Sequence, residues 1–463
     1  MASLDSLPEG WTITALREVV SPSSEKVEPS GLSPVPYLSL EHIEAESTRI
    51  LGHGTSAEVR STKSVFRAGD VLYGKLRPYL NKVCCPAFGG VCSTDILVFP
   101  RLEHLDSKYL LYFLNRREIV EFAHHHSSGI QLPRIGFDAL GELPFPLPPL
   151  AEQRRIVAKL EELLAQAHTT RGRLEKVPAI LKRFRQSVLA AACTGRLTEE
   201  WREQHSWVTD AEGSDLPAGW RDGQLADLCE SISDGDHQPP PKQEQGIPFL
   251  VIGNINSGSL DFSETRFVPE AYYESIKPIR KPRRGDVLYA VVGATIGISA
   301  PVLTNHPFCF QRHIAILKPN QNTDPAYLNL VMKTQDVRRQ SWENVTGSAQ
   351  PTLPLGALRS LKVTIPPLSE QNEIVRRVET LFAWADAVER RVEAAKARVE
   401  KLTQSVLAKA FRGELVPHEA ELARREGRDY EPASVLLERI REQRSGRGAT
   451  GRRRSRGKAA AGA

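Results

Sequence analysis

The sequence predicts an α+β protein in which two tandem α/β domains are separated by two long helices that pair as an antiparallel coiled coil about a pseudo-twofold axis. Three observations carry that prediction. Short motifs occur twice in the same order along the 463 residues, each copy joins strand-like runs to a stretch of helix, and the helical stretches keep a seven-residue apolar period. Repeats are sought first because missing one mistakes the whole fold.

The first repeat opens at "LPEGW" (7–11) and the second at "LPAGW" (216–220). "VPYL" at 35 returns as "IPFL" at 247, and "GDVLY" at 69–73 returns unchanged at 285–289. Further on, "PPLAEQRRIV" (148–157) matches "PPLSEQNEIV" (366–375), and "QSVLAAACTGRL" (186–197) matches "QSVLAKAFRGEL" (404–415). The separation drifts only from 209 to 218 residues. The chain is therefore two similar units, each of about 190 to 200 residues.

Residues 1–147 and 216–365 read as the globular domains. Their runs "DVLY", "DILVFP", "PFLVIGNI" and "HIAILKP" are rich in β-branched and aromatic residues and broken by Gly, Pro, Asn and Asp, the pattern of strands and loops. A helix is expected in "SKYLLYFLNRREIVEF" and in its counterpart "PAYLNLVMKTQDVRRQ".

Residues 148–195 and 366–413 read as the long helices. Apolar or small residues fall at Ile156, Leu160, Leu163, Ala167, Thr170, Leu174, Val177, Leu181, Phe184 and Val188, in alternating steps of four and three. Ile374, Val378, Leu381, Ala385, Val388, Val392, Ala395, Val399, Leu402 and Val406 repeat them at a constant displacement of 218. A period of seven keeps one stripe facing a partner, so the seam predicts a coiled coil. Two amphipathic helices, each packed on its own domain, are the plainer alternative. The Pro-Pro pairs at 148–149 and 366–367 suit helix entrances, and Gly195 and Gly413 suit the ends. Gly172 and Pro178 predict a kink or local break near 172–178. Each helix would be a rod of about 65 Å at 1.5 Å per residue, and an antiparallel pair would act as a ruler between the two domains.

The remaining segments are a linker at 196–215, a C-terminal helical extension at 414–443 and a disordered basic tail at 444–463. Within them "EPASVLLERIREQR" (431–444) reads as one more helix, docking on a partner or on the first domain.

Composition limits the function. With 40% hydrophobic and 25% charged residues the chain is an ordinary globular one. It has no apolar run of membrane-spanning length, and "MASLDSLPEG" lacks the features of a signal peptide, so a cytoplasmic location is expected. The six cysteines include no C-x-x-C pair and are expected to be buried free thiols. His124, His125 and His126 lack a carboxylate or thiol at ligand spacing and read as an exposed helix end, with no metal site. Seven of the positive charges, with no acid, lie in 444–463; removing them from the net +5 leaves −2 for residues 1–443. Any affinity of the body for phosphate must come from local clusters.

"GDVLYGKL" (69–76) reads G-x-x-x-x-G-K, a nucleotide-binding loop as far as its lysine. Leu76 offers no oxygen to magnesium, Asp70 would repel phosphate, and the second copy, "RRGDVLYAVVG", has no lysine. The motif is therefore structural. No other catalytic motif is found: the double prolines "LPPL", "IPPL" and "QPPP" are not the aminomethyltransferase loop, and G-x-S-x-G and H-E-x-x-H are lacking.

The order of variable domain, "PPLxEQ" helix, second variable domain and second "PPLxEQ" helix resembles the specificity subunit of type I restriction-modification systems, over roughly residues 7–440. "YGKLRPYLNKV" with "CSTDILV" resembles one common type of that family's target-recognition domain, and "GDVLYAVVGATIG" another. The resemblance implies a non-catalytic DNA reader that holds two methyltransferase subunits and on which motor-nuclease restriction subunits assemble. It implies no cofactor on this chain, S-adenosylmethionine in the methyltransferase, and ATP with magnesium in the restriction subunit. Two readers related by a twofold would each address a half-site of double-stranded DNA. Because they differ between shared motifs, the target would be asymmetric.

Candidate DNA contacts follow from residue type. "YGKLRPYLNK" gathers Lys75, Arg77, Tyr79, Asn81 and Lys82, suited to phosphates and base edges, although an ordinary solvated loop would look similar. "SSGIQLPRI" (127–135) and "TGSAQPTL" (346–353) add Gln131, Arg134, Ser348 and Gln350. "KPIRKPRRGD" packs Arg280, Lys281, Arg283 and Arg284 beside Lys277, which suits phosphate or a solubilising surface equally. Gln311 and Arg312 are further candidates. A coiled-coil adaptor that binds only proteins, and an enzyme using the near-nucleotide loop, are the competing readings.

Overall fold

The computed structural model describes residues 7–29, 33–205, 216–235 and 242–442. The chain forms two compact units, one of Met1–Leu174 with Ala395–Ala463, the other of Glu175–Ala394. The basic tail from 444 onwards and residues 206–215 of the expected linker lie outside the described residues.

Each unit is closed by the same device. In the first, strand Thr12–Ala15 pairs antiparallel with Pro144–Leu147, which brings the start of the domain beside the entrance of the long helix. Trp11 Nε1 then donates to Glu152 Oε1 at 2.8 Å, and Glu152 is fully buried. In the second, Arg221–Gln224 pairs with Lys362–Ile365, and Trp220 Nε1 donates to the fully buried Glu370 at 2.8 Å. The neighbouring glutamines repeat the symmetry. Gln153 donates to Pro148 O (3.0 Å) and accepts from Asp106 N–H (2.9 Å); Gln371 donates to Pro366 O (2.9 Å) and accepts from Asp324 N–H (2.9 Å). Asp106 and Asp324 in turn cap helices Ser107–Leu114 and Pro325–Met332. "LPxGW" and "PPLxEQ", distant in sequence, are thus one buried polar network, and buried polar groups must be satisfied in this way.

The strands between form two mixed and two antiparallel sheets, one of each per unit. The first unit has a five-stranded sheet in the order Lys26–Val27, Lys63–Phe66, Gly90–Cys92, Pro36–Leu38, Gly54–Thr55, and a three-stranded one centred on Val71–Gly74. The second has a four-stranded sheet containing Val287–Ala290 and a three-stranded one containing Ile247–Leu250. Both contain one parallel pairing, Leu38 with Cys92 and Leu250 with Phe310. The repeated "GDVLY" is a turn and a strand. Gly69 and Gly285 are left-handed (φ 85° and 96°), and the aspartates accept the backbone N–H groups of Arg67 and Arg283, both at 2.7 Å. Asp286 also pairs with the equally buried Lys318.

The expected break in the first long helix is observed: one helix spans Leu150–Leu174 and another Val177–Cys193, whereas Leu368–Arg412 is continuous. Within the first unit Arg155 pairs with Glu419 and Arg171 lies 3.9 Å from Glu400. Within the second, Arg185 meets Asp386 (2.6 Å) and Arg377 reaches Leu197 O (2.8 Å). In both, one partner's position rises as the other's falls, the antiparallel sense expected, with Glu419 on the separate helix Glu419–Glu426 that follows the long one. Of the seam, Ile156, Leu160, Leu181, Val188, Ile374, Val378 and Val392 are buried, and Leu163, Leu174, Leu381, Val399 and Val406 half-buried. Thr170 and Leu402 depart from it and are exposed, in the stretch where Arg171 and Glu400 make the facing side chains polar.

Two segments outside the long helices and globular domains are ordered. The described part of the linker is structural: Glu199–Gln204 is helical, and buried Thr198 and Arg202 both bind Glu370. The segment at 431–444 docks on the first domain: 433–442 is helical, Ala433 N–H donates to Gly10 O (2.9 Å), and Ala433, Leu436, Leu437 and Ile440 join the first core.

All six cysteines are free, and burial pushes the thiols of Cys84, Cys92, Cys193 and Cys229 up to about 12. Their alkylation by iodoacetamide at pH 8 is expected to run roughly a thousandfold slower than that of a free cysteine, because the thiolate is the nucleophile; mass spectrometry of the native and unfolded chain checks this. Among the described residues no helix is long and apolar enough to cross a membrane.

Candidate nucleic-acid interface

At one end of the central strand of each unit three loops are stitched together by backbone bonds. In the first unit strand Val71–Gly74 runs on into residues 75–82. Lys75 N–H donates to Asp95 O (2.9 Å), Ile135 N–H to Lys75 O (3.0 Å), and Arg77 N–H to Pro133 O (2.7 Å). In the second, Val291 N–H donates to His313 O (3.1 Å), Leu353 N–H to Val291 O (2.8 Å), and Gly293 N–H to Pro351 O (2.8 Å). The same three bonds are made at corresponding positions. Each third loop is a tight hairpin: Ser128 and Arg134 exchange both backbone bonds at 2.9 Å, as do Thr346 and Thr352 at 2.8 and 2.9 Å. Gly129 (φ 101°) and Gly347 (φ 88°) turn them.

This geometry disposes of the nucleotide loop. A Cβ on Gly74 would lie 2.7 Å from Leu40 Cδ2 and 3.1 Å from Lys82 O, so that glycine serves close packing. The amides of Gly74 and Lys75 are already bonded to Lys82 O and Asp95 O and have nothing left for phosphate.

Arg77 is the best supported of the expected contacts. Its φ of 51° is left-handed, where the second copy has Gly293 at 76°. Holding a non-glycine residue there costs about 1–3 kcal/mol, a cost also borne by Glu46 (φ 55°) and Asn81 (φ 45°). Its side chain is exposed and has no partner among the described residues. Lys75 is half-buried beside it, and Tyr79 is exposed, edge-on to His124 at 5.5 Å. His124, His125 and His126 are exposed at the end of helix Arg117–His125. Gln131, Ser348 and Gln350 stand exposed on the hairpins, and Arg134 grips Asp95 through Nε (2.9 Å) and Nη2 (3.3 Å).

Other expected residues are engaged elsewhere. Asn81 donates to Asn115 Oδ1 (2.7 Å) and Lys82 Nζ to Leu40 O (2.6 Å), so both anchor the loop to the domain. Arg280 faces Asp234 (3.4 Å), Lys281 faces Glu274 (3.3 Å) and the Tyr273 ring (4.5 Å), and Arg284 donates to Leu303 O. These three, with exposed Arg283, precede strand Val287–Ala290, whereas the three-loop edge follows it. Four residues of strand, about 13 Å, lie between. Arg280, Lys281, Arg283 and Arg284 thus stand at the opposite end of the strand from the three-loop edge. Gln311 is half-buried with its backbone bonded to Leu250 and Ile314; Arg312 beside it is exposed. The Arg312 neighbourhood had a missed counterpart: burial, then the Arg312 charge, lowers the basicity of His313. Thr94 and Asp95 occupy the equivalent loop of the first unit, Asp95 accepting from Lys75 N–H as His313 does from Val291 N–H. Aligning "CSTDILV" with "CFQRHIAIL" would have found them. Ile130 and Leu132 also stand exposed on the first hairpin.

Among the described residues no group of three or more His, Cys, Asp or Glu could hold a metal ion.

The family described as "Type I restriction modification DNA specificity domain" matches residues 67–179 and 217–395. The EcoBI type I restriction enzyme specificity subunit of Escherichia coli is 36% identical over 333 residues, covering 70% of this chain and 69% of that one. The EcoDI specificity subunit of Escherichia coli is 32% identical over 469 residues, covering 96% and 98%. Among solved structures, a chain described under "complex assembly and conformational transition of the type I R-M system" aligns with a TM-score of 0.67 at 24% identity, over 89% of this chain and 100% of that one. The HsdS subunit from Thermoanaerobacter tengcongensis aligns with a TM-score of 0.62 at 24% identity, over 89% and 99%. The structural likenesses support the fold: mixed helix and sheet, with the domain written twice.

Proposed function

The chain belongs to the type I restriction-modification DNA specificity subunits, and from that premise we propose that its two three-loop edges each read one half of a bipartite, asymmetric target in double-stranded DNA. It is the sequence-recognition subunit, and catalysis resides in modification and restriction subunits. The observation that carries the bipartite reading is the repetition of one backbone frame with different side chains upon it. Arg77, Gln131 and Arg134 stand where the second copy has Gly293, Ala349 and Thr352. Equal frames address equivalent positions on two half-sites, and unequal side chains make those half-sites differ.

Such subunits act with modification and restriction subunits and with DNA. We place two methyltransferase subunits on this chain, one per reader, with S-adenosylmethionine bound by them and ATP with magnesium by the restriction subunit. An adaptor that binds only proteins is not favoured by the family. The test is single-molecule sequencing of plasmid DNA from cells making the cognate methyltransferase with and without this chain. The expected result is methylated adenine, one on each strand of a split, non-palindromic motif, only when the chain is present. Methylation of a single continuous motif, or a pattern indifferent to the chain in an intact active complex, would overturn the reading.

A further inference from the structure

The two hairpins differ most at their tips. Between the closing pairs Ser128/Arg134 and Thr346/Thr352, the first presents Ile130, Gln131 and Leu132, and the second Ser348, Ala349 and Gln350. Ile130 is 103% exposed and Leu132 45% exposed. A single exposed aliphatic side chain is ordinary on any protein. Two of them flanking a glutamine at the tip of a hairpin, when the same hairpin in the second unit carries no large apolar side chain, call for a physical reason.

We propose that Ile130 and Leu132 read thymine, by packing against its C5 methyl group in the major groove, with Gln131 placed between them to bond a neighbouring base edge. The proposal rests on the recognition reading above and gives the first edge its chemistry. Three features support it. The major groove shows the thymine methyl as its apolar mark, and aliphatic contact is how that mark is read. Gly129 is left-handed, and a Cβ there would lie 3.1 Å from Leu132 O, so the turn is tight and the tip is presented ready formed. Preformed presentation keeps the ordering cost of binding low. The tip is carried by the loop whose backbone bonds hold Arg77 and Lys75, the cations suited to the flanking phosphates. Polar tips such as Ser348 and Gln350 would read hydrogen-bonding edges instead.

The experiment uses the complex of the full chain with its methyltransferase, after sequencing has given the motif. Synthetic duplexes carry uracil in place of each thymine in turn, which removes only the C5 methyl group, and methylation rates are compared for the wild type and for Ile130→Ser/Leu132→Gln, the tip chemistry of the second unit. Equal melting temperatures confirm that these surface changes leave the fold intact. In the wild type, uracil at one or two positions of one half-site is expected to slow methylation at least about fivefold, the scale of a lost base contact. The variant is expected to be indifferent to that replacement and to accept other bases there, with the other half-site unchanged. Indifference of the wild type to uracil at every position, with a chain-dependent split motif still present, would overturn the thymine reading and leave the recognition reading standing. Absence of any chain-dependent motif would instead remove the recognition reading.

Discussion

Replacing Glu370 by alanine is expected to destabilise the second unit by about 3–5 kcal/mol, the loss seen when one partner of a buried ion pair is removed. The side chain of Glu370 is fully buried and accepts from Trp220 Nε1, Thr198 Oγ1 and the guanidinium of Arg202, itself only 10% exposed. Truncating it strands a buried cation and an indole N–H together. The effect should be a fall of roughly 10 °C in the melting of that unit, on the scaling that holds for domains of about 200 residues. Glu152 supplies the comparison. It occupies the same place in the first unit, yet its partners are Trp11, the backbone N–H of Glu419 and His418, whose side chain is 33% exposed. No buried guanidinium is left behind by Glu152→Ala, and the expected loss is about 1–3 kcal/mol, that of buried donors left unsatisfied. Calorimetry of the two variants decides the matter. Equal losses would mean that the stranded charge of Arg202 is not what makes Glu370 costly to remove.

Ending the chain after Tyr430 is expected to cost the first unit on the order of 5 kcal/mol. The deleted helical segment 433–442 puts Leu436, Leu437 and Ile440 into the core at 1%, 6% and 0% exposure. Burying each such side chain is worth about 1.5–3 kcal/mol. The exposed pair of Arg441 with Glu18 adds little, as surface ion pairs do. Limited proteolysis of the truncated chain should open cleavage around residues 7–20, which the segment covers through Ala433 and Gly10. The full-length variant Leu436→Asp/Ile440→Asp separates packing from length. If both variants unfold within about 1 kcal/mol of the intact chain, the segment is a passenger and its burial contributes no stability.

The repeat and the helix signals were legible in the sequence because they are periodic. Heptads at a fixed displacement of 218 gave the paired helices, and Gly172 with Pro178 marked the interruption between Leu174 and Val177. What joins "LPxGW" to "PPLxEQ" was not legible, since Trp11 and Glu152 are 141 residues apart and only strand pairing brings them together. The candidate contacts divide by position. Arg77, Gln131, Ser348 and Gln350 were singled out by residue type and stand exposed on the three-loop edges. Asn81, Lys82 and the cluster from Arg280 to Arg284 were singled out by the same rule. Local composition does not show which end of a strand a residue occupies or whether its side chain is held by the domain, because the sheet decides both. Ile130 failed the rule from the opposite side, an apolar residue in a place where apolar residues usually mean core.

The division of the chain has a consequence for synthesis on the ribosome. The second unit is one continuous stretch, Glu175–Ala394, whereas the first combines Met1–Leu174 with residues from Ala395 onwards. Leu407, Phe411 and Ile440 belong to the core that also holds Trp11 and Tyr109. The usual vectorial order, in which the N-terminal domain folds first, is therefore reversed here. The domain translated first must wait, its apolar face open, through the 233 to 266 further residues that separate Leu174 from Leu407 and Ile440, a delay of about 12 to 53 seconds at ordinary elongation rates.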